Sequence, residues 1–421
     1  MKKQVQTGRL IYLTVTDQYL DRLRIERMIK IEQIKINNFK VFKDTSVKNL
    51  SRLNVFVGPN GSGKTSLFNL FGFLKDALHT NVTVAVNKNG GFDEIVSRNA
   101  PQDALIRIKI KYRELELKQS PLLTYELAIK KNDPLITLET EKLNFRSEKN
   151  SQSINLMKFH NGKGEVINNE DELIEDIKAV TKLEEQILVA PDILAIKGLG
   201  QFHKYKSIHS LQQYIDSWII YNFQYKNLCH GEPGIEEYLS SSGTNLAQVT
   251  RFIYDNHPKI FQTILEKMNE RIPGIEKVEA IRNESGQVLL KFKDKPFINP
   301  FFSRYVSDGT IKMFAYLILL NAPVPHPLIC IEEPENFLFP ELLKGLADEL
   351  RDYATRGGQV FVSTHSPEFV NALDIRELFV LKKTDGETQI FPAISDSQLN
   401  ELFENGNELG WLWQHGFMEN F

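Results

Sequence analysis

Apolar positions along this chain follow three patterns, each of which predicts a different kind of element. Short apolar runs that stop at a turn or a charge predict buried strands. Ile31 to Phe39 alternates loosely, a charged turn follows at Lys43 and Asp44, and Leu53 to Val57 ends in a Gly-rich loop. That order reads strand, turn, strand, loop. Helical spacing comes next: Leu67, Phe68, Leu70, Phe71 and Leu74 place one apolar face on a helix from Lys64 to Ala77.

Between Ala104 and Asn144 the period changes to two. Ile106, Ile108, Ile110 and Tyr112 share one face while Arg107, Lys109, Lys111 and Arg113 share the other, and turn signals around Pro121 and Asn132 to Pro134 predict antiparallel strands. Ser147 to Gly164 is polar and predicts a loop; Asp171 to Leu188, Ser210 to Phe223 and Leu246 to Ile272 predict helices. From Val288 the chain returns to strand, helix and buried-strand patterns. No heptad series is sustained, so no long coiled coil is expected, and there is no internal repeat.

Composition narrows this picture. A chain of 421 residues with 42% apolar side chains has material for a large α/β core. A net charge of −3 supplies no overall basic field for nucleic acid, although a local patch such as the Arg107 to Arg113 face could still bind DNA. Cys229 and Cys330 are far apart, which leaves neither a disulfide framework nor a zinc site and fits a reducing cytoplasm. The most apolar stretch, Met313 to Ile331, is interrupted by Asn321, Pro323, Pro325, His326 and Pro327, so no membrane span is expected. Met1 to Glu26 lacks a signal-peptide core and reads as a tail, a partner-binding arm or the product of an upstream start codon.

Four strings carry chemistry. Gly58-Pro59-Asn60-Gly61-Ser62-Gly63-Lys64-Thr65 follows a strand and opens a helix, as a phosphate-cradling P-loop must. Backbone N–H groups from Asn60 through Gly61, Ser62, Gly63 and Ser66 can face phosphate oxygens; Lys64 would bridge the β- and γ-phosphates, and the Thr65 hydroxyl would hold Mg²⁺. Leu328 to Ile331 is an apolar strand delivering Glu332 and Glu333. Beside a P-loop, Glu332 would ligate Mg²⁺ with Thr65 and Glu333 would activate the attacking water, so Glu333 counts as a catalytic candidate together with Lys64 and His365, with ATP and Mg²⁺ as cofactors. Val360 to Val362 leads into Ser363-Thr364-His365-Ser366-Pro367, where the His365 imidazole could sense a γ-phosphate. Ser307-Asp308-Gly309-Thr310 precedes the apolar helix Ile311 to Leu320; it reads as an N-cap whose Ser307 and Gly309 could also present a helix N-terminus to a phosphate.

In this order these strings resemble the ABC-type, AAA-family ATPases related to RecF, SMC and OLD proteins, over about residues 28 to 380. The opening Ile36-Asn37-Asn38-Phe39-Lys40-Val41-Phe42 and Glu333-Pro334-Glu335-Asn336 resemble in particular the OLD-like and PtuA-like ATPases of bacterial anti-phage systems. The resemblance implies an α/β P-loop fold of the ABC-head type, with an antiparallel β subdomain and an inserted helical subdomain. Its expected divisions are an N-terminal extension (1–27) and an ATPase domain (28–420), comprising a P-loop lobe (28–84), an insertion (85–300), a lobe bearing the signature, the paired glutamates and the switch histidine (301–395), and a tail (396–421). It implies a homodimer or a higher even-numbered homo-oligomer in which Ser307 and Gly309 of one copy complete the site of Lys64, Thr65, Glu332, Glu333 and His365 in another. Departures from the commoner pattern are Asp308 and Thr310 in the signature, Glu332 in place of Asp, and Phe339 where relatives often have His.

The expected function is therefore that of a cytoplasmic Mg²⁺-dependent ATPase, the sensor or motor of a bacterial anti-phage system. About 55 residues follow His365, too few for the Toprim nuclease of OLD proteins, so a nuclease or toxin effector would be a separate chain. The alternatives are a RecF-like or SMC-like DNA repair ATPase and the ATPase subunit of a membrane transporter; about 240 residues between P-loop and signature count against the transporter. Asp103 with Glu116-Leu117-Lys118 has a nuclease-like spacing inside alternating strand sequence, and Trp411-Leu412-Trp413 either docks a partner or closes the core.

Overall fold

The computed structural model describes residues 29–114, 121–146, 153–168 and 183–418. Two compact units emerge, one formed by Met1–Leu50 with Leu70–Trp218, the other by Ser51–Asn69 with Ile219–Phe421.

The first unit is built on an eight-stranded antiparallel sheet in the order Phe42–Val47, Ile29–Phe39, Ile106–Glu114, Leu122–Asn132, Leu135–Arg146, Ser153–His160, Lys163–Ile167, Leu183–Ile187. The alternation in the sequence sets its faces: Ile106, Ile108, Ile110 and Tyr112 are buried and register with Ile129, Leu127, Tyr125 and Leu123 on the next strand. The opposite face is not a free basic stripe, because Lys109 pairs with Glu126 at 2.7 Å and Arg113 with Glu32 at 2.9 Å.

Two expectations fail here. The loop expected over Ser147 to Gly164 is replaced from Ser153 onward by a hairpin of Ser153–His160 and Lys163–Ile167, residues 147–152 lying outside the described residues; nor is Leu183–Ile187 helical, since it pairs with Lys163–Ile167 as the sheet's last strand. Its sequence, Leu-Glu-Glu-Gln-Ile, favours helix, but pairing with a neighbouring strand overrides so weak a preference. The rest of the expected helix, together with Glu116 to Lys118 and Met1 to Glu26, lies outside the described residues. The helix expected over Ser210 to Phe223 runs instead over Lys206–Asp216, and Ile219–Tyr221 is a strand of the second unit.

That second unit contains a six-stranded sheet in the order Ile219–Tyr221, Leu328–Glu332, Gln359–Ser363, Leu53–Val57, Leu378–Thr384, Glu387–Pro392. The first five run parallel and the last closes an antiparallel hairpin. Leu53–Val57 and Gln359–Ser363 are buried at every residue, as strands covered on both faces should be. Phe56 stacks between Phe361 and Phe379, with ring centroids 5.7 and 5.3 Å away. A three-stranded antiparallel sheet, Ile275–Arg282, Val288–Asp294 and Phe301–Phe302, adds a second β element.

The helix Asp308–Leu320 is buried at every residue from Ile311 onward, on all its faces, which makes it a core helix. The long helix expected from Leu246 divides at His257 into Leu246–Asn256 and Pro258–Arg271, because Pro258 cannot donate to a preceding turn but suits the first position of a new helix. In the C-terminal string Leu412 is fully buried and Trp413 packs against the core, whereas Trp411 is 44% exposed and stacks on His415. No helix among the described residues is long and apolar enough to cross a membrane.

Candidate functional site

Parallel pairing assembles the site. Glu332 lies in register with Ser363, and Ser363 with Phe56, so three strands release their chains at one edge of the sheet. Leu53–Val57 continues there into the P-loop, Leu328–Glu332 into the Glu333–Phe337 turn, and Gln359–Ser363 into Thr364 and His365. Thr364 N–H donates to the Phe56 carbonyl at 3.1 Å and Glu333 N–H to the Ser363 carbonyl at 2.9 Å, which locks the three exits together.

The P-loop curls through Gly61 and Gly63, both at positive φ, before the helix Lys64–His79 begins. Gly58 is needed for space as well as for conformation, since a Cβ there would lie 2.7 Å from the Leu381 carbonyl oxygen. Ser62 is buried and its carbonyl accepts from the Thr388 hydroxyl at 2.8 Å, while Asn60, Gly61 and Thr65 are exposed and Gly63 and Ser66 partly so. Lys64 is buried; its Nζ donates to the carbonyls of Gly58 at 2.7 Å and Pro59 at 3.1 Å. Burial pulls the Lys64 ammonium down to about 8, and Glu333 and Glu335 pull the other way.

The carboxylates that oppose Lys64 occupy the adjacent turn. Glu332 is half-buried, and burial followed by the Glu333 charge raises its carboxyl above the usual carboxylate range. Glu333 sits in the left-handed region at φ 45°. Its Oε2 accepts from Asn336 Nδ2 at 2.8 Å, and its Oε1 lies 3.5 Å from His365 Nε2. Burial, and next the Lys64 charge, hold the His365 imidazole below its ordinary value, so near neutrality it is uncharged. The His365 backbone N–H donates to Glu335 Oε1 at 2.6 Å.

Ser307 caps the helix Asp308–Leu320: its hydroxyl accepts from Thr310 N–H and lies 2.7 Å from the Thr310 hydroxyl. With Gly309 it borders an open cavity of about 920 Å³ whose walls include Asp308, Thr310, Phe337 and Phe339. Among the described residues no hydrogen bond or ion pair joins Ser307 or Gly309 to the P-loop. Their link to the site passes through the Glu333–Phe337 turn. A Cβ on Gly309 would stand 2.7 Å from the Phe337 carbonyl oxygen, so only glycine permits this approach.

The structure thus brings Lys64, Glu332, Glu333 and His365 to one sheet edge and leaves Ser307 and Gly309 on a neighbouring surface. It also adds Glu335, Asn336 and Lys312, whose Nζ donates to the Asn336 carbonyl at 2.8 Å. Glu335 and Asn336 stand in the same string as Glu333, and Lys312 is the one charge inside the apolar run that follows Gly309; these were the available signals. The donor set suits Mg²⁺, a hard cation that takes oxygen ligands: the Thr65 hydroxyl at the helix start and the half-buried Glu332 carboxylate, with nucleotide phosphates and water completing the shell.

Comparison with known proteins gives the chain a family and a fold. Residues 53–371 match the family described as "AAA domain, putative AbiEii toxin, Type IV TA system". A curated relative from Helicobacter pylori, named ATP/GTP phosphatase, is 23% identical over 410 residues, covering 90% of this chain and 99% of its own. Among solved structures, an SMC head bound to the C-winged helix domain of ScpA is similar at a TM-score of 0.53, with 14% identity over 86% of this chain and 97% of that one. The Pyrococcus furiosus SMC head with an extended coiled coil, bound to the C-terminal domain of ScpA, aligns at 0.50, with 12% identity over 90% of this chain and all of that one. At such identities these structures establish the SMC and ABC-ATPase head fold, and no long coiled coil accompanies it among the described residues. Because the family match spans most of the chain, this protein belongs to that AAA-domain family, and it is an ATP hydrolase.

Proposed function

We propose that this ATPase binds Mg-ATP on the P-loop and hydrolyses it in a dimer that sandwiches two nucleotides. Lys64 and the backbone N–H groups of residues 60–66 would hold the β- and γ-phosphates, and Thr65 and Glu332 would hold Mg²⁺, which neutralises charge on the phosphates. Glu333 would take a proton from water as the water oxygen bonds to the γ-phosphorus and the bridging oxygen leaves with ADP. His365 would donate a hydrogen bond to the departing phosphate. Ser307 and Gly309 of a second copy would face the same γ-phosphate through the positive end of their helix.

The observation that carries the dimer is the separation described above: a capped helix N-terminus opens on a surface cavity instead of on its own P-loop. Phe337 and Phe339 border that cavity at 69% and 66% exposure, and exposed aromatics of this kind anchor interfaces. We further infer that the dimer is the cytoplasmic sensor or motor of a bacterial anti-phage system of the OLD-like or PtuA-like kind, acting on a separately encoded nuclease or toxin. The toxin and antitoxin wording of the family supports that setting. The DNA-repair reading gains from the SMC-head fold but loses from the ion pairs that engage Lys109 and Arg113.

The test is the mass of purified Glu333→Gln protein with and without Mg-ATP. Blocking hydrolysis should trap the nucleotide-bound assembly, and Ser307→Arg should abolish it. A mass indifferent to ATP would overturn the composite site.

A further inference from the structure

Ten consecutive residues of the helix Asp308–Leu320 are buried, from Ile311 to Leu320, and one of them is a cation. Lys312 is 4% exposed. Its ammonium donates to the Asn336 carbonyl at 2.8 Å and lies 5.8 Å from the centre of the Tyr316 ring. An ammonium at such a depth is costly to desolvate unless it is paired, whereas methionine would fill the same space without that cost. The pairing is supplied by the Glu333–Phe337 turn. Burial pulls Lys312 down to about 8, while Glu335 and next Glu333 act to keep it charged. Glu335 Oε1 accepts from His365 N–H, and its Oε2 is buried with no hydrogen-bond partner among the described residues, so its charge is incompletely answered by hydrogen bonds.

From Asn336 the connection reaches the reacting carboxylate. The Asn336 carbonyl accepts from Lys312, its side-chain amide donates to Glu333 Oε2 at 2.8 Å, and its own N–H donates to the Glu333 carbonyl at 3.2 Å. Glu333 needs such a hold. A non-glycine residue at φ 45° is strained and persists only where its surroundings impose it. The Gly309 approach to the Phe337 carbonyl supplies a second contact between the first turn of this helix and the same loop.

We propose that Lys312 is a positioning residue for ATP hydrolysis: its ammonium fixes Asn336, and through Asn336 the Glu333 carboxylate, so that engagement of the Ser307–Gly309 helix end is felt at the water-activating group. The proposal rests on the reading of Glu333 as the general base. It assigns Lys312 no contact with nucleotide, so ATP capture by the P-loop should not depend on it.

The experiment measures steady-state Mg-ATP hydrolysis by the full chain carrying Lys312→Met, Lys312→Arg, Asn336→Ala, the Lys312→Met/Asn336→Ala pair, or Glu333→Gln. Lys312→Met should lower kcat by about 10- to 100-fold, the scale of a misplaced reacting group, with KM changed by less than about threefold. Lys312→Arg should restore most of the rate, because it keeps a cationic donor. Asn336→Ala should match Lys312→Met, and the pair should lose no more than the worse single variant, as members of one chain of contacts do. Asn336 is exposed, so its truncation keeps the test decisive even if Lys312→Met fails to fold. The proposal is overturned if Asn336→Ala leaves kcat unchanged, if the losses multiply in the pair, or if KM rises while kcat holds. Hydrolysis surviving in Glu333→Gln would sink the general-base reading and the proposal with it; hydrolysis lost there but normal in Lys312→Met would sink the proposal alone.

Discussion

His365 Nε2 stands 3.5 Å from Glu333 Oε1, on an imidazole that burial and the Lys64 charge keep neutral near pH 7. The contact is therefore one between the Glu333 side chain and a neutral ring, and no charged partner on His365 ties that side chain down. Glu333→Gln keeps the shape and the Asn336 hydrogen bond but removes the proposed proton acceptor. Single-turnover hydrolysis should fall by about 10²- to 10⁴-fold, the usual contribution of a positioned base, with ATP affinity nearly unchanged. A variant that hydrolyses within about threefold of the native rate would remove Glu333 from the reaction.

Lys64 tests the other half of the site. Its ammonium rests on the Gly58 and Pro59 carbonyls, an arrangement that aims a charge at the mouth of the P-loop. Lys64→Ala deletes a charge-assisted contact worth about 1.5–3 kcal/mol, so ATP affinity measured by a fluorescent analogue should drop by roughly 10- to 150-fold. Undiminished affinity would mean that phosphate is held by the loop backbone alone.

Gly309 offers a steric test. Its added Cβ would meet the Phe337 backbone carbonyl at 2.7 Å, and backbone cannot rotate aside as a side chain can. Gly309→Ala should therefore force the helix Asp308–Leu320 and the Glu333–Phe337 turn apart. The expected results are a loss of about 1–3 kcal/mol in urea unfolding and slower hydrolysis. If Gly309→Ala matched the native protein in both, the close approach would not be part of the working structure.

How much of this was readable beforehand depends on where each residue's interactions lie. Leu53–Val57, Leu328–Glu332 and Gln359–Ser363 were legible because strands buried on both faces leave uninterrupted apolar runs, and the chemistry follows directly at their ends. Leu183–Ile187 was not, because three of its five residues are exposed at a sheet edge and only pairing makes it a strand. Ile219–Tyr221 was absorbed into the preceding amphipathic pattern, since three residues cannot establish a period of their own. At the site, local strings pointed to Lys64, Glu333, His365 and Ser307. Lys312 and Asn336 each stand in a visible string, but the link between them escaped because it spans 24 residues of sequence and joins a side chain to a backbone carbonyl, which leaves no compositional trace.

Away from the nucleotide site, Glu141 should make stability depend on pH. It is 1% exposed on the strand Leu135–Arg146, where its Oε1 accepts from the Tyr125 hydroxyl at 2.9 Å and Ile196 N–H at 3.1 Å, and its Oε2 from Ala195 N–H at 2.5 Å. Burial pushes the carboxyl up to about 7 even though these donors favour the anion, against 4.5 for an ordinary glutamate. Between those values the folded chain holds a proton that the unfolded chain has released. The stabilisation from this group is thus complete below about pH 4.5 and is lost as pH rises through about 7, amounting to about 3 kcal/mol. Glu141→Gln keeps one acceptor oxygen toward these donors and cannot ionise. Urea unfolding between pH 5 and pH 8 should show the native protein losing ground to Glu141→Gln as pH rises, whereas a constant gap between the two would mean that Glu141 titrates in the ordinary carboxylate range.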